Sequence, residues 1–221
     1  MFKKYLSLLC VPFFFSQLPF PAAVSVYAPE EKGVLDILFM GEKVGYEEFT
    51  WQPAENGYLL TVRGRMTKPI PMVIDKMSIR LEKSFIPAQY YFEGTVSGVR
   101  QEVLSVINEG QVENVILVAG QEQKSTEKIK RDAFLLPNAV YSPYMVLTKK
   151  FNGNLKERVE LSAYIIPQFE TAFALEPSEE RPWRLLMDMS GSEIILDGDE
   201  EGRLLSLRIP LISLEVRRVP D

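Results

Sequence analysis

A mainly β protein, one antiparallel curved sheet (a half-barrel) with one short helix, is the fold class this sequence predicts. Three observations predict it. Runs of alternating apolar and polar residues recur about every ten residues, the spacing of strands in an antiparallel meander. Gly, Asn-Gly and Pro signals separate those runs, and fifteen prolines beside thirteen glycines favour turns over long helices. A single segment carries both a start and a stop signal for a helix.

The clearest run is Tyr58 to Thr67. Side chains in a strand point alternately to opposite faces, so Tyr58, Leu60, Val62 and Met66 share an apolar face and Thr61, Arg63, Arg65 and Thr67 a wet one. Lys68-Pro69-Ile70-Pro71 interrupts the ladder, because proline has no N–H to donate. Met72 to Leu81 follows, with Val73, Met77, Ile79 and Leu81 expected in phase.

From the N-terminus, Lys3-Lys4, an apolar run from Tyr5 to Phe20 and the small residues Ala22-Ala23-Val24-Ser25 read as a secretory signal peptide. Cleavage after Ser25, with Ala23 at −3, is favoured over cleavage after Ala28, where Pro29 would follow the cut. The expected organisation is a signal peptide over residues 1–25 and one half-barrel domain over 29–221, placing the protein in the periplasm. An uncleaved anchor is the competing reading. Pro12 and Pro19 weigh against it, and no second long apolar span follows, so no transmembrane segment is expected once the signal is removed. Leu9 before Cys10 is a poor match to a lipidation site.

Val34 to Met40 is the first expected strand, reversed by Gly41 to Gly45 and answered by Tyr46 to Trp51. There Glu47 shares a face with Phe49 and Trp51. Gln52 to Gly57 turns into the two strands above. Ala88 to Val96 alternates with Ala88, Tyr90, Phe92 and Val96 in phase, then Gln101 to Asn108 and Glu113 to Ala119 complete a meander of seven. Gln121 to Asp132 reads as a polar edge strand or a loop, with Lys124, Lys128, Lys130 and Arg131 on a solvated face. Ser142 as N-cap, Pro143 in the first turn, Lys149-Lys150 at the C-terminal end and Asn152-Gly153 as a stop give the one helix. Arg158 to Ile166 is a strand, Gln168 to Glu180 an acidic loop, and Trp183 to Met189 pairs with Ser192 to Asp197 around Ser190-Gly191. After Pro210 the apolar phase slips by one, which predicts a bulge there.

The chemistry classes narrow by subtraction. No histidine is present, which removes the commonest general base and zinc ligand. The single cysteine, Cys10, lies in the leader, leaving no thiolate nucleophile beyond it. Lys+Arg total 25 against 30 for Asp+Glu, the wrong sign for a phosphate-tracking surface, so no nucleic-acid partner is expected. Asp197-Gly198-Asp199-Glu200-Glu201-Gly202 spaces acids and glycine like a calcium loop, but Arg208 stands where a bidentate Glu belongs, and an exposed acidic turn is the favoured reading. Glu47, Glu48, Glu179 and Glu180 read as surface acids. No cofactor, metal ligand or catalytic residue is assigned, and the protein reads as a non-enzyme.

The remaining signal is apolar. Aromatic and methionine side chains on successive strands make adaptable walls for apolar ligands. Tyr58, Leu60, Val62, Met66, Met77, Tyr90 and Phe92 are the candidate lining of a concave face that holds a lipid or acyl chain. The alternative is an envelope scaffold that docks a protein partner through a sheet edge or the 168–180 loop.

The layout also carries a resemblance. It rests on the Gly41 to Gly45 hairpin, the long meander, Leu136-Pro137-Asn138 before the helix, and the Glu200 to Leu204 segment before the closing strand. Together they resemble bacterial periplasmic half-barrel proteins of unknown function, similar in architecture to the outer-membrane lipoprotein carriers and receptors. The resemblance implies a greasy concave sheet and no catalytic residues.

Overall fold

Alternation makes the first half of the chain a sheet. In the computed structural model, which describes residues 30–220 apart from 152, Leu60, Val62 and Met66 are buried while Arg63 and Arg65 face solvent. Eight strands follow one another: β1 (Glu31–Phe39), β2 (Glu42–Ala54), β3 (Gly57–Met66), β4 (Met72–Glu82), β5 (Pro87–Val96), β6 (Val99–Asn108), β7 (Gln111–Val118) and β8 (Gln121–Lys128). The rest are β9 (Phe134–Leu135), β10 (Val159–Ile165), β11 (Phe169–Pro177), β12 (Arg184–Met189), β13 (Ser192–Gly198), β14 (Leu204–Ile209) and β15 (Leu214–Arg218). β1 pairs with β15, so all fifteen join one open, curved sheet running from β8 through β1 and β15 to β9. Among the described residues only β9 and β10 pair in parallel. The expected leader over 1–25 lies outside the described residues.

Antiparallel neighbours joined by short turns put alternate turns at the same end of the sheet. One end, called upper here, carries turns 40–41, 67–71, 97–98, 119–120, 166–168, 190–191 and 210–213. The lower end carries 55–56, 83–86, 109–110, 178–183 and 199–203. The tight upper turns have positive φ at both central residues, as at Ser97 (50°) and Gly98 (81°), the condition for a mirror-image hairpin turn that matches strand twist.

The connection from β9 to β10 leaves the sheet and fills the curve. It starts at the upper end, descends through a 3₁₀ turn at Ser142–Tyr144 and continues into α1 (Met145–Phe151), whose Met145, Val146 and Leu147 are buried. Two anchors hold this plug. Midway, Glu47 of β2 accepts the backbone N–H groups of Tyr141 (2.8 Å) and Ser142 (2.7 Å) and the Ser142 hydroxyl. At the lower end, Glu31 pairs with both Lys149 of α1 and Arg218 of β15, and all three side chains are about one-tenth exposed. Lys149 also lies 5.2 Å over the ring of Trp51, which heads a stack with Tyr58 and Phe85. Across the interior, Asn114 of β7 donates to the Tyr164 hydroxyl of β10 at 2.9 Å, tying the two arms of the sheet together.

Several expectations need correction. Val73 is exposed while Met72 and Ile74 are buried, because a register shift between Ile74 and Lys76 flips the phase within β4. Residues 169–177 form β11 rather than a loop; Phe173 and Leu175 point inward and both edges are paired. Near Pro210 the chain reverses through a 3₁₀ turn, with Ile209 opposite Leu214, so the phase slip marks a hairpin and not a bulge. Ser142 does not cap the helix, since its hydroxyl donates to Glu47. The polar 121–128 segment is an edge strand.

Candidate functional site

The plug fills most of the curve but leaves a cleft toward the upper end. β5 and β6 form one wall, with Tyr90, Phe92, Val96 and Val103. The start of the plug, Pro137 to Val140, and the Ile166–Pro167 turn form the other, while Ile70 and Met72 close the side. The space is about 270 Å³, near the lower bound of the roughly 300–1,000 Å³ usual for small-molecule sites. Its lining is neutral. The other polar side chains lining it are Gln101, Asn138 and Gln168; the phenol of Tyr90 is buried, and burial pushes its pKa well above the usual tyrosine value.

Each sequence-predicted lining residue has a definite place. Tyr90 and Phe92 line the cleft. Met66 borders a shallow, open apolar hollow of about 520 Å³ on the upper rim, with Pro71, Val73 and Gly98. Leu60, Val62 and Met77 are closed into the core, and Tyr58 belongs to the aromatic stack of the lower end. The structure therefore brings together two of the seven and adds Met72, Val96 and Val103. Val96 and Val103 lie in phase with Phe92 and Ile107, a signal already present in the alternation. The plug's contribution is long-range and has no local signature.

Glu47 is the acid that sequence reasoning misplaced. It is 1% exposed rather than on the surface. Burial raises its carboxyl pKa, and the donors from Ser142 and Tyr141 pull it partly back. Among the described residues no second acid lines the hollow beside it, and three donors from the plug engage its carboxylate, so its geometry is that of a clasp. Ser105, Asn114, Ser125 and Tyr164 form a second polar set, with Ser105 donating to Asn114 at 2.6 Å and Asn114 to Ser125 at 3.1 Å.

The acidic turn over 197–202 is committed to arginine. Asp197 accepts Arg184 (2.7 and 3.2 Å), Ser206 (2.9 Å) and Arg208 (3.4 Å). Asp199 accepts Arg203 at 2.6 Å and the amides of Glu201 and Arg203. Carboxylates so engaged are not gathered around a cation. Among the described residues no cluster of three or more acid, His or Cys side chains could hold a metal ion, and no helix is long and apolar enough to cross a membrane.

No family model and no curated protein matches this chain. Among solved structures, the crystal structure of a DUF1089 family protein from Pseudomonas aeruginosa aligns with it over 96% of this chain and 97% of its own. The identity is 11% and the TM-score 0.44, a likeness too slight to carry a functional argument.

Proposed function

We propose that this protein is an exported, non-enzymatic binder of a small apolar ligand of the acyl-chain class, held between β5, β6 and the upper part of the plug. The observation that supports the reading is the neutral cleft lined by Tyr90, Phe92, Val96 and Val103. A concave sheet that was open along its length would take a whole lipid. This cleft, of about 270 Å³, has room for a single chain. Residues 1–25, read as a signal peptide, would deliver the protein to the periplasm.

Native mass spectrometry of protein purified from an envelope fraction, with solvent extraction, is the test. An extractable acyl species is the expected result. Ile70→Asp, at the half-exposed mouth, should abolish uptake of a fluorescent medium-chain fatty acid at unchanged thermal stability. A bare mass together with no uptake would sink the reading.

The dry packing of Leu60, Val62 and Met77 favours a second reading, an envelope scaffold with no small-molecule ligand. Its docking element would be the free edge of β8, since residues 169–177 are paired on both sides and offer no loop.

A further inference from the structure

The two ends of the sheet differ in chemistry. Among the upper turns, at 40–41, 67–71, 97–98, 119–120, 166–168, 190–191 and 210–213, Lys68 is the only charged residue. The lower turns carry Glu55, Glu109, Glu179, Glu180, Asp199 and Glu201, with several bases among them. The upper end also holds large apolar side chains in solvent: Leu211 is 74% exposed, Met40 72%, Phe169 54%, Ile212 43% and Ile70 41%.

The tips from 210–213 through 40–41 and 67–71 to 97–98 lie side by side. The Met40 amide donates to Ser213 (2.8 Å), Thr67 to Val44 (2.9 Å) and Ser97 to Pro71 (2.7 Å), linking successive turns side by side. The rim then crosses the mouth of the cleft from Ile70 to Pro167 and Gln168. The shallow hollow beside Met66 and Val73 opens on the same rim, with Arg65 in its wall. Lys68 lies 3.8 Å from Glu42, a loose, exposed pair.

We infer that this upper rim docks on a phospholipid surface, with Leu211, Met40 and Phe169 entering the headgroup region and Arg65 and Lys68 facing anionic phosphodiesters. Large apolar side chains on turn tips gain by leaving water, and the upper turns themselves carry no carboxylate, Glu42 at the edge of one lying beside Lys68. The lower end, where Trp183 is 40% exposed, fails on the second count, since its turns are rich in carboxylates. The inference does not depend on what the cleft holds.

The test uses the full chain with Cys10→Ser, carrying an environment-sensitive fluorophore attached through Leu211→Cys at the upper end or Glu55→Cys at the lower. Vesicles of phosphatidylglycerol and phosphatidylethanolamine should brighten the label at 211 and leave the label at 55 unchanged. Leu211→Asp combined with Phe169→Asp should weaken vesicle partitioning by about tenfold or more with thermal stability unchanged, since both sites are exposed. A label at 55 that responds instead would assign binding to the lower end or to the apolar sequence ahead of β1, and would overturn the inference. So would silence at 211, or binding only to protease-sensitive envelope membranes, which would give the rim to a protein partner.

Discussion

The carboxylate of Glu47 accepts both the backbone N–H and the hydroxyl of Ser142, 95 residues further along the chain. With the Tyr141 amide, these donors fix the point where the plug turns into its 3₁₀ segment. Glu47→Gln should cost about 1–3 kcal/mol, because an amide NH₂ replaces one acceptor in front of buried donors. Glu47→Ala should cost about 3–5 kcal/mol, since it leaves all three donors unpaired and opens a void. Urea denaturation measures both. Hydrogen exchange should show lost protection first in 139–151, and uniform loss over the sheet would show that Glu47 is no clasp.

Asn114 and Tyr164 form the corresponding tie between the arms of the sheet. Asn114 serves three partners, so Asn114→Ala should be costlier than Tyr164→Phe, at about 2–3 against about 1 kcal/mol. The two changes should be less than additive in a double-mutant cycle, with a coupling of about 0.5–1.5 kcal/mol. Strict additivity would mean the 2.9 Å contact contributes nothing to stability.

How much of this was legible depends on whether the signal is local. The strand around Leu60 and Val62 was readable because one face is uniformly apolar and the other carries Arg63 and Arg65. In Val73-Ile74-Asp75-Lys76-Met77 the apolar residues fit two phases, and only pairing with β5 decides that Asp75 is the extra residue. Glu47 stood in phase with Phe49 and Trp51, yet an acid is rarely buried without a partner, and its partners lie far along the chain. The cleft shares this limit: its β5 wall was visible as Tyr90 and Phe92, while its other wall is the plug. The slip of apolar phase after Pro210 read as a bulge, because an extra residue in a strand and a tight reversal displace the alternation alike. The turn became evident only once Ile209 was seen opposite Leu214.

The two best-held carboxylates should respond to pH with opposite signs. Burial tends to raise the Asp197 pKa, but hydrogen bonds from Arg184 and Ser206 and the charges of Arg184 and Arg208 bring it below its ordinary 3.8. A depressed folded-state pKa means the unfolded chain binds more protons, so this stabilisation is complete above the unfolded value and lost as pH falls through the folded one. Arg184→Ala should therefore lower stability at neutral pH and flatten the acid limb below about pH 4. Glu47 runs the other way. Burial lifts its pKa above 4.5 in the folded state, so its linked contribution is complete below the unfolded value and declines as pH rises through the folded pKa. The stability gap between the native protein and Glu47→Gln should be widest in acid and narrow toward neutrality. Urea midpoints measured across the acid range should show the gap to Arg184→Ala closing on acidification and the gap to Glu47→Gln opening. Parallel curves would show that neither carboxylate has a shifted pKa, and would remove the electrostatic account of both contacts.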